Sequence, residues 1–131
     1  MDRLFLDANV LFSASWKETS GVTGLWGIEG ATLVTSAYAL AETVRNIEDE
    51  AQRARLQRLM QHVDVLPSAR PGRALPAGLS LRAKDAPILL AAIASGATHL
   101  ITGDLRDFKP LFGRKIEGVL VLRPRDYLAR R

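Results

Sequence analysis

The sequence predicts one α/β domain, built on a parallel sheet with helices on both faces. Short apolar or β-branched runs alternate along the chain with stretches of helical pattern, as they do in β-α units. The 131 residues are 47% hydrophobic and 24% charged, which suits a folded domain rather than a disordered chain. No repeat or linker is found, so we expect a single domain over residues 1–131.

Five runs predict the strands of this sheet. Each is apolar or β-branched, and each is short enough for a strand rather than a helix. They lie at residues 3–6, 31–35, 63–66, 99–102 and 118–122. The first ends directly before Asp7, and the fourth ends two residues before Asp104.

Helices are predicted at residues 8–16, 21–30, 36–47, 49–62, 85–95 and 124–129. Ser36 is a favourable N-cap, and the apolar residues of 49–62 recur at the spacing of one buried helical face. Pro87 falls in the first turn of its helix, where its missing N–H costs little, and Gly96 ends that helix. Residues 67–80 contain three prolines and two glycines and predict a loop.

The composition narrows the kinds of site that the chain can hold. It has no cysteine, which excludes disulfides and thiolate metal sites, and two histidines are too few for a His-rich zinc site. Any metal must therefore be bound mostly by carboxylates, which suit Mg²⁺ or Mn²⁺. No membrane-spanning run or signal peptide is recognised, so we expect a cytoplasmic protein without a membrane partner.

Charge is distributed unevenly along the chain. Residues 1–50 carry a net charge of −5, residues 51–84 carry +6, and residues 106–131 carry +5. Only Asp85 and Asp104 are charged between 85 and 105. Basic flanks around an acidic group suit a polyanionic substrate that is held over a metal site, although ordinary surface arginines would give the same pattern.

Three aspartates are predicted to meet at one edge of the sheet. Asp7 follows the first strand, and Asp104 follows the strand at 99–102; ligands of parallel sheets bind at this carboxyl edge. An 11-residue helix is about 16 Å long, and the chain after it can return about the same distance, so Asp85 also lies at this edge. Glu42, roughly 9 Å along its helix, reaches the site only if that helix is oblique.

Each acidic residue also has a structural interpretation. Asp7 and Asp85 could be helix caps, since both directly precede a predicted helix. Asp104 could be a turn residue, and Glu42 could be a solvated helix position. Asp107 could be loop surface or a fifth carboxylate of the site. The joint pattern favours a metal site, because a divalent cation removes the cost of gathering like charges.

Five motifs occur in order over nearly the whole chain. They are FLDANVL at residues 5–11, Ala41-Glu42, KDAPIL at 84–89, HLITGD at 99–104 and VLVLRP at 119–124. This ordered set resembles the PIN-domain ribonucleases. The resemblance implies a three-layer α/β/α sandwich and Mg²⁺- or Mn²⁺-dependent cleavage of RNA. It also implies a bacterial toxin held inactive by a cognate antitoxin, since many small members of the family have that role.

By motif position, the resemblance assigns a metal-binding quartet of Asp7, Glu42, Asp85 and Asp104. It assigns Asn9 and Thr102 as polar neighbours that orient the carboxylates. Our hypothesis is hydrolysis by metal-activated water, in which Asp7, Glu42 and Asp85 hold one ion and Asp104 with Asp7 helps to hold a second. The basic residues flanking the motifs could contact RNA phosphates: Arg45, Arg82, Lys84, Arg106 and Lys109.

Two alternative functions remain open. A phosphate-transferring hydrolase could also start from a strand-end aspartate, but it usually needs a second aspartate where this chain has Asn9. A non-catalytic RNA- or protein-binding module would keep an acidic pocket without metal dependence. Dimerisation through Trp16 and Trp26 is a further expectation, although both could belong to the core.

Overall fold

The computed structural model describes residues 1–67 and 74–130, which form one six-stranded sheet in the order β3-β2-β1-β4-β6-β5. The strands are β1 Asp2–Leu6, β2 Ala31–Ser36, β3 Val63–Leu66, β4 His99–Ile101, β5 Lys115–Ile116 and β6 Val119–Leu122. Neighbouring strands are parallel, except for the antiparallel pair β5–β6. The helices are α1 Ala8–Trp16, α2 Ala37–Asn46, α3 Glu50–Met60, α4 Ala86–Ala94 and α5 Pro124–Ala129.

The two faces of the sheet carry separate cores, because successive side chains of a strand point to opposite faces. In β1, Phe5 belongs to the core that contains Ile88 and Leu89 of α4. Leu4 and Leu6 belong to the other core, which also contains apolar residues of α1, α3 and α5. The predicted three-layer α/β/α architecture with a mainly parallel sheet is therefore confirmed.

The structure differs from the sequence prediction in three places. The helical piece predicted at 21–30 is a 3₁₀ helix at Gly21–Gly27, which ends three residues earlier than predicted. A second 3₁₀ helix, Lys109–Leu111, and the short strand β5 were missed. β5 and β6 join through Glu117 and Gly118, whose φ angles of 46° and 86° suit the tight turn of a hairpin.

The loop predicted at 67–80 is described only in part. Residues 68–73 lie outside the described residues, whereas residue 67 and residues 74–80 form neither helix nor strand. The other predicted elements are confirmed, with ends that differ by one or two residues. Within the described ranges, no helix is long and apolar enough to cross a bilayer.

The pairing of β1 with β4 determines where the site forms. Leu6 is in register with Ile101, so both strands end at the same edge of the sheet. The backbone N–H of Asp7 donates to the carbonyl of Ile101 at 3.0 Å, and the N–H of Thr102 donates to Leu122 at 3.0 Å. Residues that follow these strands are thus held side by side.

Candidate metal centre

A cleft of about 720 Å³ opens at the carboxyl edge of the sheet. Its walls come from the starts of α1 and α4, from α2, and from the segment after β4. All five carboxylates considered from the sequence line it: Asp7, Glu42, Asp85, Asp104 and Asp107. Glu42, which the sequence placed there only conditionally, is therefore among them.

Asp7 is both a helix cap and a member of the acidic cleft. It is buried, and its Oδ1 accepts from the backbone N–H of Ala8 at 2.7 Å. Its Oδ2 accepts from the Thr102 hydroxyl at 2.8 Å and from Asn9 Nδ2 at 3.0 Å. Burial raises the pKa of Asp7 to about 6; the hydrogen bonds from Thr102 and Ala8 lower this pKa, and the charges of Glu42 and Asp104 raise it further.

Asn9 and Thr102 join the first strand end to the fourth. Asn9 Oδ1 accepts from the backbone N–H of Gly103 at 2.7 Å, and Thr102 Oγ1 accepts from the N–H of Asp104 at 3.1 Å. A Cβ at Gly103 would lie 3.3 Å from Asn9 Oδ1, so the segment fits closely against this side chain. Both residues thus contact Asp7 and the segment that contains Gly103 and Asp104.

Glu42 reaches the cleft because α2 packs against the start of α1. Thr43, its neighbour, donates its hydroxyl to the carbonyl of Ala8 at 3.3 Å, and also to Ala39 one turn earlier at 2.9 Å. Thr43 is buried in this contact, whereas Glu42 is half-buried and lines the cleft. The contact between α1 and α2 therefore accompanies the position of Glu42 in the cleft.

Asp85, Asp104 and Asp107 form the tightest acidic cluster in the described part of the chain. One carboxylate oxygen from each lies within 4.8 Å of the other two. Asp107 is not loop surface, since its side chain is only 11% exposed. Asp104 Oδ1 also accepts from the N–H groups of Arg106 and Asp107, both at 3.0 Å, so Asp104 is a turn residue as well.

The alternative role of Asp85 as a side-chain cap is not realised. Its side chain makes no capping hydrogen bond, and its backbone is already helical, with φ −99° and ψ −24°. Asp85 is 6% exposed, and its Oδ2 is buried without a hydrogen-bond partner among the described residues. Burial, followed by hydrogen bonding with the Asp107 carboxyl and by the charges of Asp107 and Asp104, raises the pKa of Asp85 to about 7, although Lys84 opposes the rise.

This donor set fits a hard divalent cation. The cluster offers only carboxylate oxygens, which Mg²⁺ and Mn²⁺ prefer. A buried carboxylate oxygen without a partner is costly, and a cation would provide the missing partner. The residues therefore suit the type of metal expected from the sequence.

Three of the five basic residues considered from the sequence line the cleft: Arg82, Lys84 and Arg106. Arg82 Nη1 lies 3.6 Å from Asp107 Oδ2. Arg45 and Lys109 are exposed but do not line the cleft. These positions leave the first three as the better candidates for contact with a polyanion at the cluster.

Sequence reasoning missed several side chains of the cleft. Phe12 and Ser13 of α1, Asn46 of α2 and Leu105 after β4 all line it. Helical periodicity could have indicated Phe12, Ser13 and Asn46, because they lie three to five residues after Asp7, Asn9 and Glu42. Tyr38 was also missed, and its hydroxyl donates to the carbonyl of Lys84 at 2.8 Å.

A family model described as PIN domain matches residues 3–106. This chain belongs to the PIN domain family. The match contains the four acidic residues that the motifs had singled out, whereas Asp107 lies one residue beyond it. No curated protein sequence matches this PIN domain significantly.

Solved structures resemble this PIN domain in fold. VapBC2 from Rickettsia felis, solved with a DNA fragment from its promoter, has a TM-score of 0.65 at 17% identity, covering 92% of this chain and 98% of that one. VapBC-1 from nontypeable Haemophilus influenzae gives 0.61 at 16%, covering 94% and 98%. Mycobacterium tuberculosis VapC20, described as a sarcin-ricin loop cleaving toxin, gives 0.53 at 17%, covering 77% and 91%.

Proposed function

We propose that this PIN domain is a ribonuclease that hydrolyses RNA phosphodiester bonds with Mg²⁺ or Mn²⁺. The observation that carries the proposal is the buried Oδ2 of Asp85, which has no hydrogen-bond partner among the described residues and belongs to a cluster of three carboxylates. Such an arrangement is unfavourable without a cation and suits the binding of one. Membership of the PIN domain family supports the same conclusion.

Different residues of the cleft would hold the metal ion and orient its ligands. A bound divalent cation supplies Lewis-acid activation of water and neutralises charge at the phosphate. Asp85, Asp104 and Asp107 would hold that cation. Asp7 and Glu42 would complete the group of five carboxylates in the cleft, which we call the acidic floor. Thr102 and Asn9 donate to Asp7 Oδ2 and so hold its carboxylate in one orientation.

Basic side chains beside the acidic floor would bind the RNA backbone. Arg82, Lys84 and Arg106 line the cleft beside the carboxylates, at positions where they can meet phosphates on either side of the cut. Arg82 is half exposed and close to Asp107, so it can turn from that carboxylate towards an incoming phosphate. These contacts would hold the RNA without reading its sequence.

We further propose that the domain acts as the toxin of a toxin–antitoxin pair. Two of the similar solved structures are described as VapBC, and the third is a VapC protein described as a sarcin-ricin loop cleaving toxin. The first two are covered over 98% of their length, so the likeness extends beyond the motifs. A cognate antitoxin is the partner that this role requires.

The decisive experiment is cleavage of cellular RNA with Mg²⁺ or Mn²⁺, with and without chelator. We expect Asp85→Asn and Asp7→Asn to lower the rate at least about 100-fold, since each alters the acidic floor. Asp126→Asn is the matched control, because Asp126 pairs with Arg123 on α5, away from the cleft. Expression of the wild type or of Asp126→Asn should arrest growth, whereas Asp85→Asn and Asp7→Asn should arrest it much less. An antitoxin from a neighbouring reading frame should relieve the arrest.

Three other outcomes would contradict this function. Equal cleavage by the chelated protein and both variants would exclude the metal mechanism. Turnover of small phosphoesters without cleavage of RNA would favour a phosphohydrolase. RNA binding without any cleavage, unchanged by chelator, would favour a binding module.

A further inference from the structure

Arg82 contacts two parts of the carboxylate cluster, one with its main chain and one with its side chain. Its carbonyl accepts from the backbone N–H groups of Asp85 and Ala86, at 2.9 and 3.0 Å. Its Nη1 lies 3.6 Å from Asp107 Oδ2. The main chain of Arg82 is therefore held by the turn before α4, whereas its side chain reaches the segment that follows β4.

The ion pair between Arg82 and Asp107 is of a kind that exchanges easily. Its nitrogen–oxygen distance of 3.6 Å is longer than the roughly 2.7–3.2 Å of an N–H···O hydrogen bond. The Arg82 side chain is 52% exposed, and solvent screens a pair at such a site. Asp107 can therefore lose this partner at little cost.

The other basic residues that line the cleft are held differently. Lys84 and Arg106 line it, but among the ion pairs of the described residues only that of Arg82 includes a cleft carboxylate. Arg106 is tied to Asp104 through its backbone N–H, which any side chain at that position would keep. Arg106 is thus a cleft cation without the contact that Arg82 makes.

Asp107 has room for one cation at a time. Its side chain is only 11% exposed, and one of its oxygens lies within 4.8 Å of oxygens of Asp85 and Asp104. A guanidinium and a divalent cation at the same carboxylate would repel each other, because both are positive and close together. Arg82 and a metal ion are therefore competing partners of Asp107.

We propose that Arg82 is an internal counter-cation, which pairs with Asp107 in the metal-free protein and leaves it when the cluster takes Mg²⁺ or Mn²⁺. The inference rests on the ribonuclease function proposed above and adds a regulation of its site. A released guanidinium beside the cluster suits bidentate contact with a phosphate. The cleft therefore gains a free phosphate-binding cation only when the metal is bound.

The test is calorimetric titration of the metal-free protein with Mg²⁺ in the absence of RNA. Arg82→Gln should bind Mg²⁺ about 3- to 10-fold more tightly than the wild type, because the metal no longer displaces a cation. Arg82→Lys keeps the charge and should stay within about twofold of the wild type. Arg106→Gln is the matched control, since it removes the same charge from the cleft but no ion pair, and it should also stay within about twofold.

A second readout follows the Arg82 side chain directly. Its Nε–H signal in a nuclear magnetic resonance spectrum is assigned by its absence from the spectrum of Arg82→Gln. The signal should shift as Mg²⁺ is added and should saturate together with the calorimetric binding curve. Asp107→Asn should move the same signal in the same direction without metal, because it removes the partner carboxylate. Thermal unfolding of each variant checks that the fold is kept.

The outcomes separate this regulation from the function on which it rests. If Arg82→Gln binds Mg²⁺ as the wild type does, the inference is wrong, and RNA cleavage by the wild type still supports the ribonuclease. Weaker binding by Arg82→Gln would mean that Arg82 supports the cluster, and equal tightening in Arg106→Gln would indicate a general effect of cleft charge. Either result overturns the proposal. If the wild type binds neither Mg²⁺ nor Mn²⁺ and cuts no RNA, the ribonuclease fails and its regulation fails with it.

Discussion

Asp7 uses its two carboxylate oxygens for different purposes. One oxygen caps α1, and the other accepts from Thr102 and Asn9 at the edge of the cleft. The sequence offered capping and metal binding as alternatives, but one carboxylate can do both. The place of Asp7 after a strand could be predicted from the sequence. The separate roles of its two oxygens could not, because one of them accepts from Thr102, 95 positions later.

Asp85 shows the limit of capping rules at a single residue. The N–H groups of Asp85 and Ala86 already donate to the carbonyl of Arg82, at 2.9 and 3.0 Å. The turn therefore begins before the aspartate, and its side chain is released from capping to face Asp104 and Asp107. No local sequence pattern distinguishes this turn from an ordinary N-cap.

We expect Asp85→Asn to stabilise the metal-free protein at pH 8. The pKa of Asp85 is raised to about 7 from 3.8, so the folded state loses stability as the pH rises between these values. The gain should be about 1–2 kcal/mol after allowance for solvent screening, and it should vanish below about pH 3, where the carboxyl is mostly protonated in both states. Urea unfolding in chelator, repeated across this pH range, measures it.

Asp126→Asn provides a control of opposite sign. Arg123 donates to Asp126 and holds the pKa of that carboxyl below its usual value, so its removal should slightly lower stability at pH 8. Added Mg²⁺ should stabilise the wild type and not Asp85→Asn. A pH-independent loss of stability in Asp85→Asn would contradict the account of its raised pKa.

At the scale of elements, α2 contributes more to the site than its sequence indicates. Glu42 was placed some way along a helix, and in the structure its neighbour Thr43 contacts the start of α1 while Glu42 lines the cleft. Helix crossing depends on the packing of two surfaces, so it cannot be read from either helix alone. The hairpin strand β5 was missed for a different reason, because two residues are too short to show a period.

Tyr38 connects α2 to the segment that precedes α4. Its hydroxyl donates to the carbonyl of Lys84, directly before Asp85. Burial and the charges of Glu42 and Asp85 raise the pKa of Tyr38, so the hydroxyl remains a donor at neutral pH. Tyr38→Phe should therefore loosen Asp85 and weaken Mg²⁺ binding about 3- to 10-fold, as measured by calorimetry.

Tyr127→Phe is the matched control for this substitution. Tyr127 donates its hydroxyl to Asp2 at 2.6 Å, at the start of β1 and away from the cleft. Both substitutions should cost about 0.5–1.5 kcal/mol of stability through the lost hydrogen bond. Only Tyr38→Phe should alter the Mg²⁺ affinity, and equal effects of the two on that affinity would exclude a positioning role for Tyr38.

For the whole molecule, the parallel sheet explains why much of the site was predictable. Once β1 and β4 are parallel neighbours, Asp7 and Asp104 must share an edge, and the length of α4 returns Asp85 to it. Connectivity therefore located three carboxylates without any side-chain detail. Asp107 was left undecided because the segment after β4 folds through its own hydrogen bonds to Asp104.

Charge placement over the whole molecule predicts the salt dependence of RNA binding. Arg82→Gln removes a cleft cation and should lower the slope of log affinity against log salt by about one, because one phosphate contact is lost. Arg130→Gln should leave the slope unchanged, because Arg130 is an exposed residue after α5 that lies near His99. Anisotropy titrations at several salt concentrations measure both, and equal slopes for both variants would exclude an Arg82 phosphate contact.

The central position of β1 also affects the order in which the chain can fold. β1 pairs with β2 and β4, and its partner His99 in β4 is synthesised 95 residues after Leu4. At about 5–20 residues per second, that interval lasts roughly 5–20 s on the ribosome. Until β4 and Asp104 emerge, Asp7 lacks Thr102 and the acidic cluster is incomplete. The carboxylate cluster is therefore assembled only after most of the chain has been synthesised.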